Sequence, residues 1–365
     1  MSEQQKKVFI FGGTGFLGFY STLEFLKQGW HVDTLSLPDI PLGDWFPKEV
    51  GVKYGNLFDS TVEEMKDILS DGYDAIVYAV GPDDRVIPKA PAYDFFHERL
   101  VVKPRNVFEG AKAAGVKKIV LLSSYFCYFD RIMPDIHLSE HHCYIRVRNE
   151  QAAMLKEVCG DEMDAVILEL PYIFGSMPER MPLWKEVFID RFAKLPAMFF
   201  PNGGTVMIHV KGIAESVVAA TINAPTGHYP IGKVNVKFQD WLKVMNDCSG
   251  ETKKVMTVPC WMGKLGGWLV DHKAHKEGKE GGLDHVKLMP DIQYRDFFYR
   301  PEDVQKVCDA LKYDELGFTA VDASVCDGIV DTMRAIFPDR YDENGNLKAE
   351  WVIPEKKRQY KGPKF

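Results

Sequence analysis

Short apolar runs alternate with amphipathic stretches over the first 170 residues of this chain. Runs of β-branched and aromatic residues predict strands at 7–11, 31–35, 53–54, 75–80, 118–123 and 165–169. Between them, apolar positions recur at helical spacing over 16–28, 62–69, 95–114 and 144–157. Short strands separated by helices imply βαβ units around a parallel sheet. Beyond 170 the rhythm breaks, with Pro and Gly clustered at 171–182, 196–204 and 225–232. Shorter strands are predicted at 206–210, 227–231 and 255–258, and helices at 213–223, 238–247, 301–311 and 324–336. The expected organisation is a nucleotide-binding body over 1–170 and a smaller, interleaved substrate lobe over 171–337. Residues 338–365 read as a polar basic tail, since the last eleven hold five Lys/Arg against one Glu.

Composition narrows the class. The chain has 365 residues, 46% apolar and 27% charged, enough for a large buried core. Its 52 acidic and 45 basic side chains give a formal charge of −7. That balance argues against a general nucleic-acid binder, which needs a basic face. No run of about 18 apolar residues predicts a membrane span. The polar lead into 8–11 does not read as a signal peptide. Seven scattered cysteines without a CxxC pair suit reduced thiols in the cytoplasm.

The strongest chemical signal is Val8-Phe9-Ile10-Phe11-Gly12-Gly13-Thr14-Gly15-Phe16-Leu17-Gly18. A buried strand ends in a glycine turn that opens a helix. Gly12 and Gly15 let the backbone approach a diphosphate, and Gly18 lets helix and strand pack closely. The helix N-terminus offers free N–H groups and a positive dipole to the anion. A doubly wound parallel α/β sheet of the Rossmann type is therefore expected.

This turn resembles the cofactor turn of the extended short-chain dehydrogenase/reductase superfamily, which includes NAD-dependent epimerases and dehydratases, hydroxysteroid dehydrogenases and dihydroflavonol reductases. Later stretches are similar too, in order: Gly55-Asn56-Leu57-Phe58-Asp59, the strand ending Ala79-Val80-Gly81, the run up to Ser123-Ser124, and Leu170-Pro171-Tyr172-Ile173-Phe174-Gly175. The similarity runs over about residues 7–336. It implies a cofactor site made by Gly12, Thr14, Gly15, Phe16, Leu17, Gly18, Ser36, Asn56, Leu57, Ala79, Val80, Gly81, Pro171, Tyr172 and Ile173. The cofactor implied is NAD(P). An acid at the end of the second strand favours NAD, and here that place falls on neutral Ser36, which tilts the expectation toward NADP(H). Asp39 curling back onto the ribose would restore NAD.

The resemblance also implies hydride transfer with a Tyr phenol as general acid or base. An unperturbed Tyr titrates near ~10, so a neighbouring cation is needed for it to act as a base near neutrality. The matching residues are Tyr144 and Arg148, four apart on one helical face. The family's Lys is thus replaced by Arg148, which supplies charge but cannot release a proton. Ser124 is the expected partner hydroxyl, with backbone capping as its plain structural alternative. Tyr125 and Tyr128 are alternative acids.

His137, His141, His142 and Cys143 precede Tyr144, but no second cluster completes a metal site, and none is expected. His272 and His275 form a further pair, and His209 reads as a satisfied core histidine. The loops expected to face substrate, at 82–96, 129–142, 175–196 and 255–300, are rich in aromatics, which favours a largely apolar cleft. Arg180, Lys185 and Arg191 keep a nucleotide sugar open. The stretch 255–270 is similar to the mid-lobe segment of hydroxysteroid-type members. It is too short and interrupted to span a bilayer, though it could touch one. The resulting expectation is a cytoplasmic NAD(P)-dependent oxidoreductase acting on a medium-sized, largely apolar small molecule. A nucleotide-sugar epimerase or dehydratase with tightly held NAD is the first alternative. A cofactor-binding regulatory or scaffold protein with a decayed site is the second. Helices 95–114 and 144–157 are long enough for a homodimer contact.

Overall fold

The computed structural model describes residues 5–38, 41–363 and 365. Asp39, one of the residues weighed for the ribose, lies outside them. The strands, in chain order, are β1 (Lys7–Phe11), β2 (His31–Ser36), β3 (Gly51–Tyr54), β4 (Ala75–Tyr78), β5 (Lys118–Ser124) and β6 (Asp164–Leu170). They continue with β7 (Tyr172–Phe174), β8 (Ala197–Phe200), β9 (Gly204–His209), β10 (Gly227–Pro230), β11 (Val234–Lys237) and β12 (Lys254–Thr257).

The main sheet has seven strands in the order β10-β6-β5-β4-β1-β2-β3, and every neighbouring pair is parallel. The order reverses at β1, which leaves a crevice between the C-terminal ends of β1 and β4 where a dinucleotide fits. Alternation along the strands feeds two cores. Phe9, Phe11, Ile76 and Tyr78 face the helices Lys103–Ala113 and Cys143–Cys159. Val8, Ile10, Val77 and Val120 face the helices Phe16–Lys27 and Val210–Asn223.

A third core lies beyond β6, under a sheet of order β11-β9-β7 and the parallel pair β12-β8. Trp184, Phe188, Phe238 and Trp241 meet there, with Phe188 and Trp241 ring centroids 4.5 Å apart and edge-on. β10, read from the sequence with the second lobe, pairs in the main sheet beside β6, so the chain returns to the body after building part of the lobe.

Two local differences from the sequence reading have physical reasons. The helix expected over 95–114 starts at Ala92 and widens at Glu98–Val102 before continuing as Lys103–Ala113. Pro104 has no N–H to give the carbonyl one turn back, which suits a wide turn just before it. The segment after 337, expected as a polar basic tail, docks on the protein through apolar and aromatic residues. Tyr341 and Ile353 are buried, the Tyr341 hydroxyl donates to the Cys248 carbonyl, and Arg340 stacks between the Phe337 and Trp351 rings. Aromatic and aliphatic residues spaced without periodicity dock this segment, so a helical or strand pattern could not reveal it.

Candidate active site

The glycine turn sits where β1 meets the helix Phe16–Lys27. Gly12 has φ +86°, and a Cβ there would stand 2.8 Å from the Ala79 carbonyl oxygen. A Cβ on Gly18 would stand 2.1 Å from the Gly12 carbonyl oxygen. Only glycine allows both approaches. Gly15 precedes the helix in extended conformation and no side chain caps its first N–H groups, which leaves donors for an anion. These residues fit the diphosphate of a dinucleotide.

The other expected cofactor residues gather around this turn unevenly. Ala79 and Val80 abut Gly12, and Gly81 (φ +135°) follows them into the cleft. The buried Ser36 hydroxyl lies 3.4 Å from that of Thr14, which joins the end of β2 to the turn. Phe16 reaches toward Gly175, beyond Pro171, Tyr172 and Ile173. Asn56 accepts from the Phe58 N–H and donates to Asp59 at 2.6 Å, so its amide serves the local turn beside buried Leu57. Sequence reasoning gave Arg180 no part in the cofactor site. A terminal nitrogen of Arg180 would lie 3.8 Å from a Cβ on Gly15, which sets an exposed cation against the phosphate turn.

Tyr144 and Arg148 do meet. Arg148 Nε donates to the Tyr144 hydroxyl oxygen at 2.9 Å, and another guanidinium nitrogen donates to Gln151 Oε1 at 2.9 Å. Both side chains are buried. Phe96 packs edge-on against the Tyr144 ring. The Gly282 carbonyl accepts from the Tyr144 N–H at 2.9 Å, and a Cβ on Gly282 would collide with Tyr144 and Phe96. A strap of the second lobe therefore lies against the tyrosine. Burial pushes the Tyr144 phenol up to about 12, while Arg148 pulls it down and Asp84 pushes it up.

Asp84 is the residue that sequence reasoning missed within an otherwise expected substrate loop. Its side chain is half-buried and surrounded by protein atoms. Burial raises its carboxyl, Arg85 opposes, and its charge acts on Tyr125, Tyr144 and Tyr172. Nothing in the spacing of Gly81-Pro82-Asp83-Asp84-Arg85 marks which acid turns inward.

Ser124 Oγ accepts from the Phe126 N–H at 3.3 Å, where the helix Phe126–Ile132 begins, and keeps its own proton to donate. Tyr125 is buried and its hydroxyl accepts from Thr205 Oγ1 at 3.2 Å. Tyr128 instead donates to Asp303 at 2.8 Å. Two of the histidines before Tyr144 meet the chain at Asp284 and Asp291, while His137 pairs with nearby Glu140. His141 Nδ1 lies 2.7 Å from Asp291, and buried His142 accepts from the Asp284 N–H at 3.2 Å. Burial holds the His142 imidazole down at about 4, so it is neutral. His209 is buried, caps the helix Val210–Asn223 and lies 3.6 Å from Asp331.

The parallel sheet, its switch point and the glycine turn define an enzyme fold of the extended short-chain dehydrogenase/reductase type. The model of the NAD dependent epimerase/dehydratase family matches residues 8–229, and the chain belongs to that family. It is 22% identical over 320 residues to a Synechocystis protein named "Putative dihydroflavonol 4-reductase", covering 79% of this chain and 86% of that one. Its fold is similar to a nucleoside-diphosphate-sugar epimerase of Pseudomonas aeruginosa (TM-score 0.65, 12% identity, 92% of this chain and 98% of that one). It is also similar to the Bordetella bronchiseptica enzyme WbmH solved with NAD+ (TM-score 0.56, 16% identity, 70% and 86% covered). Among the described residues no helix is long and apolar enough to cross a membrane.

Proposed function

We propose that this protein interconverts a secondary alcohol and a ketone on a medium-sized, largely apolar metabolite. The observation that carries this reading is the 2.9 Å bond from Arg148 Nε to the Tyr144 oxygen. That bond uses one lone pair of the phenol and leaves its proton to give. When bound, the nicotinamide supplies or accepts the hydride. Tyr144 gives its proton to the substrate oxygen during reduction and takes it back during oxidation. Ser124 donates its remaining proton to the same oxygen. Arg148 holds a fixed positive field beside the phenol and leaves guanidinium N–H groups for a ribose. Arg180 reaches the diphosphate from the second lobe. Neutral Ser36 places no charge against a 2′-phosphate, which supports NADP(H) over NAD(H).

A nucleotide-sugar epimerase is the second reading, favoured by the likeness in fold to the Pseudomonas aeruginosa nucleoside-diphosphate-sugar epimerase. Incubating the purified protein with NADPH or NADH and a panel of cyclic and aryl ketones separates the two. Cofactor oxidation with a ketone supports the first reading. Bound nucleotide retained through purification, with turnover of a uridine-diphosphate sugar only, supports the second.

A further inference from the structure

The helix Cys260–Lys276 lies on the second lobe, and of its 17 residues only Gly267 and Ala274 are buried. Gly263 packs near Met289 and Tyr294, and Gly267 against the backbone of His285 and Val286. These three small residues mark the inner face. Large apolar residues turn outward instead. Trp261 is 66% exposed, Leu265 53%, Trp268 49% and Leu269 56%, with Met262 beside them. At 100° per residue, Trp261, Leu265, Trp268 and Leu269 form one stripe opposite the small residues. A monomer rarely leaves such a stripe to water.

Charge selects what covers it. Lys264, Lys273 and Lys276 are exposed on the flanks and C-terminal turns of the stripe, with His272 and His275. The helix's one acid, Asp271, is occupied inward, where it meets His285 at 2.6 Å. A net-acidic chain thus carries a locally basic, tryptophan-rich apolar helix. A second copy seated across a two-fold axis would set lysines against lysines with no acid of the stripe to answer them. An anionic lipid surface answers both features, since the apolar side chains enter the headgroup region and the lysines meet lipid phosphates.

We propose that the helix Cys260–Lys276 lies in the interface of an anionic phospholipid bilayer and makes this protein peripheral to a membrane. The proposal is independent of the reaction assigned above. The test is flotation of the full chain with phosphatidylcholine vesicles, with and without phosphatidylglycerol, alongside tryptophan emission. Binding on the order of a hundredfold stronger with the anionic lipid is expected, from about 1 kcal/mol for each of three lysines. A blue shift of emission accompanies it. Leu265→Glu/Leu269→Glu, both at exposed positions, abolishes flotation while leaving thermal unfolding unchanged. Lys264→Gln/Lys273→Gln/Lys276→Gln removes the preference for anionic lipid. Failure of the folded wild type to float with either vesicle overturns the proposal. So does flotation that survives Leu265→Glu/Leu269→Glu. A dimer that this same variant splits, without vesicle binding, also overturns it and gives the stripe to a second copy.

Discussion

At the residue scale the Tyr144–Arg148 pair carries the proton transfer of the proposed reaction. Burial holds the phenol protonated, with a value pushed up to about 12, so the donor form persists from neutral pH to well into the alkaline range. Reduction therefore loses nothing to Tyr144 ionisation up to about pH 10, whereas oxidation needs the phenolate and rises about tenfold per pH unit below that value. Replacing Arg148 with Met removes the cation that pulls the phenol down. The expected result is a loss on the order of a hundredfold in kcat/KM in both directions, which share one transition state. Steady-state rates from pH 6 to 10 measure the loss. An unchanged kcat/KM would assign Arg148 to packing. A Lys in its place would also supply charge, but Arg148 binds the phenol oxygen and Gln151 at once, which needs a fork of donors.

At the element scale the glycine turn is a tightly constrained piece of backbone. A Cβ at Gly18, 2.1 Å from the Gly12 carbonyl, must push the helix Phe16–Lys27 off the turn. Gly18→Ala is expected to weaken NADPH and NADH binding by at least about tenfold, or more than 1.4 kcal/mol, read by cofactor fluorescence. The same titrations on the wild type check that NADPH binds more tightly than NADH. This element was legible in the sequence because strand, turn and helix each carry their own local signal. The pairing of Tyr144 with Arg148 was legible from helical spacing. Asp84, Arg180 and the Gly282 strap were not. Each reaches the site through a loop conformation or a lobe contact that no local periodicity encodes. The backbone bond of Ser124 was legible as the plain structural alternative for a hydroxyl at a strand end. The helix Cys260–Lys276 escaped helical prediction because its apolar residues face water and three glycines interrupt it.

At the scale of the whole molecule, the two lobes are joined next to the chemistry. His141 and His142 meet Asp291, and the Tyr144 N–H meets Gly282. His142 is held at about 4 by burial, below the ordinary histidine value near ~6.5. The unfolded chain therefore binds a proton in that interval that the folded chain excludes. Stability from this group is present above pH ~6.5 and lost as pH falls toward about 4. Melting temperature should drop across that window, and the drop should shrink in His142→Asn. An unchanged slope in the variant would move the pH response to other groups. The docked segment after Phe337 works in the same direction, since it covers the outer core around Trp241 and ties the chain end to the second lobe through the Phe365 carbonyl.

In the proposed reaction Tyr144 moves the proton while the rest of the site holds cofactor and substrate. The most direct measurement compares wild type and Tyr144→Phe for both ketone-dependent NADPH oxidation and NADPH affinity. A loss of at least about a hundredfold in kcat/KM is expected, with affinity for NADPH changed by less than about threefold. A Tyr144→Phe protein that retains wild-type turnover would contradict it.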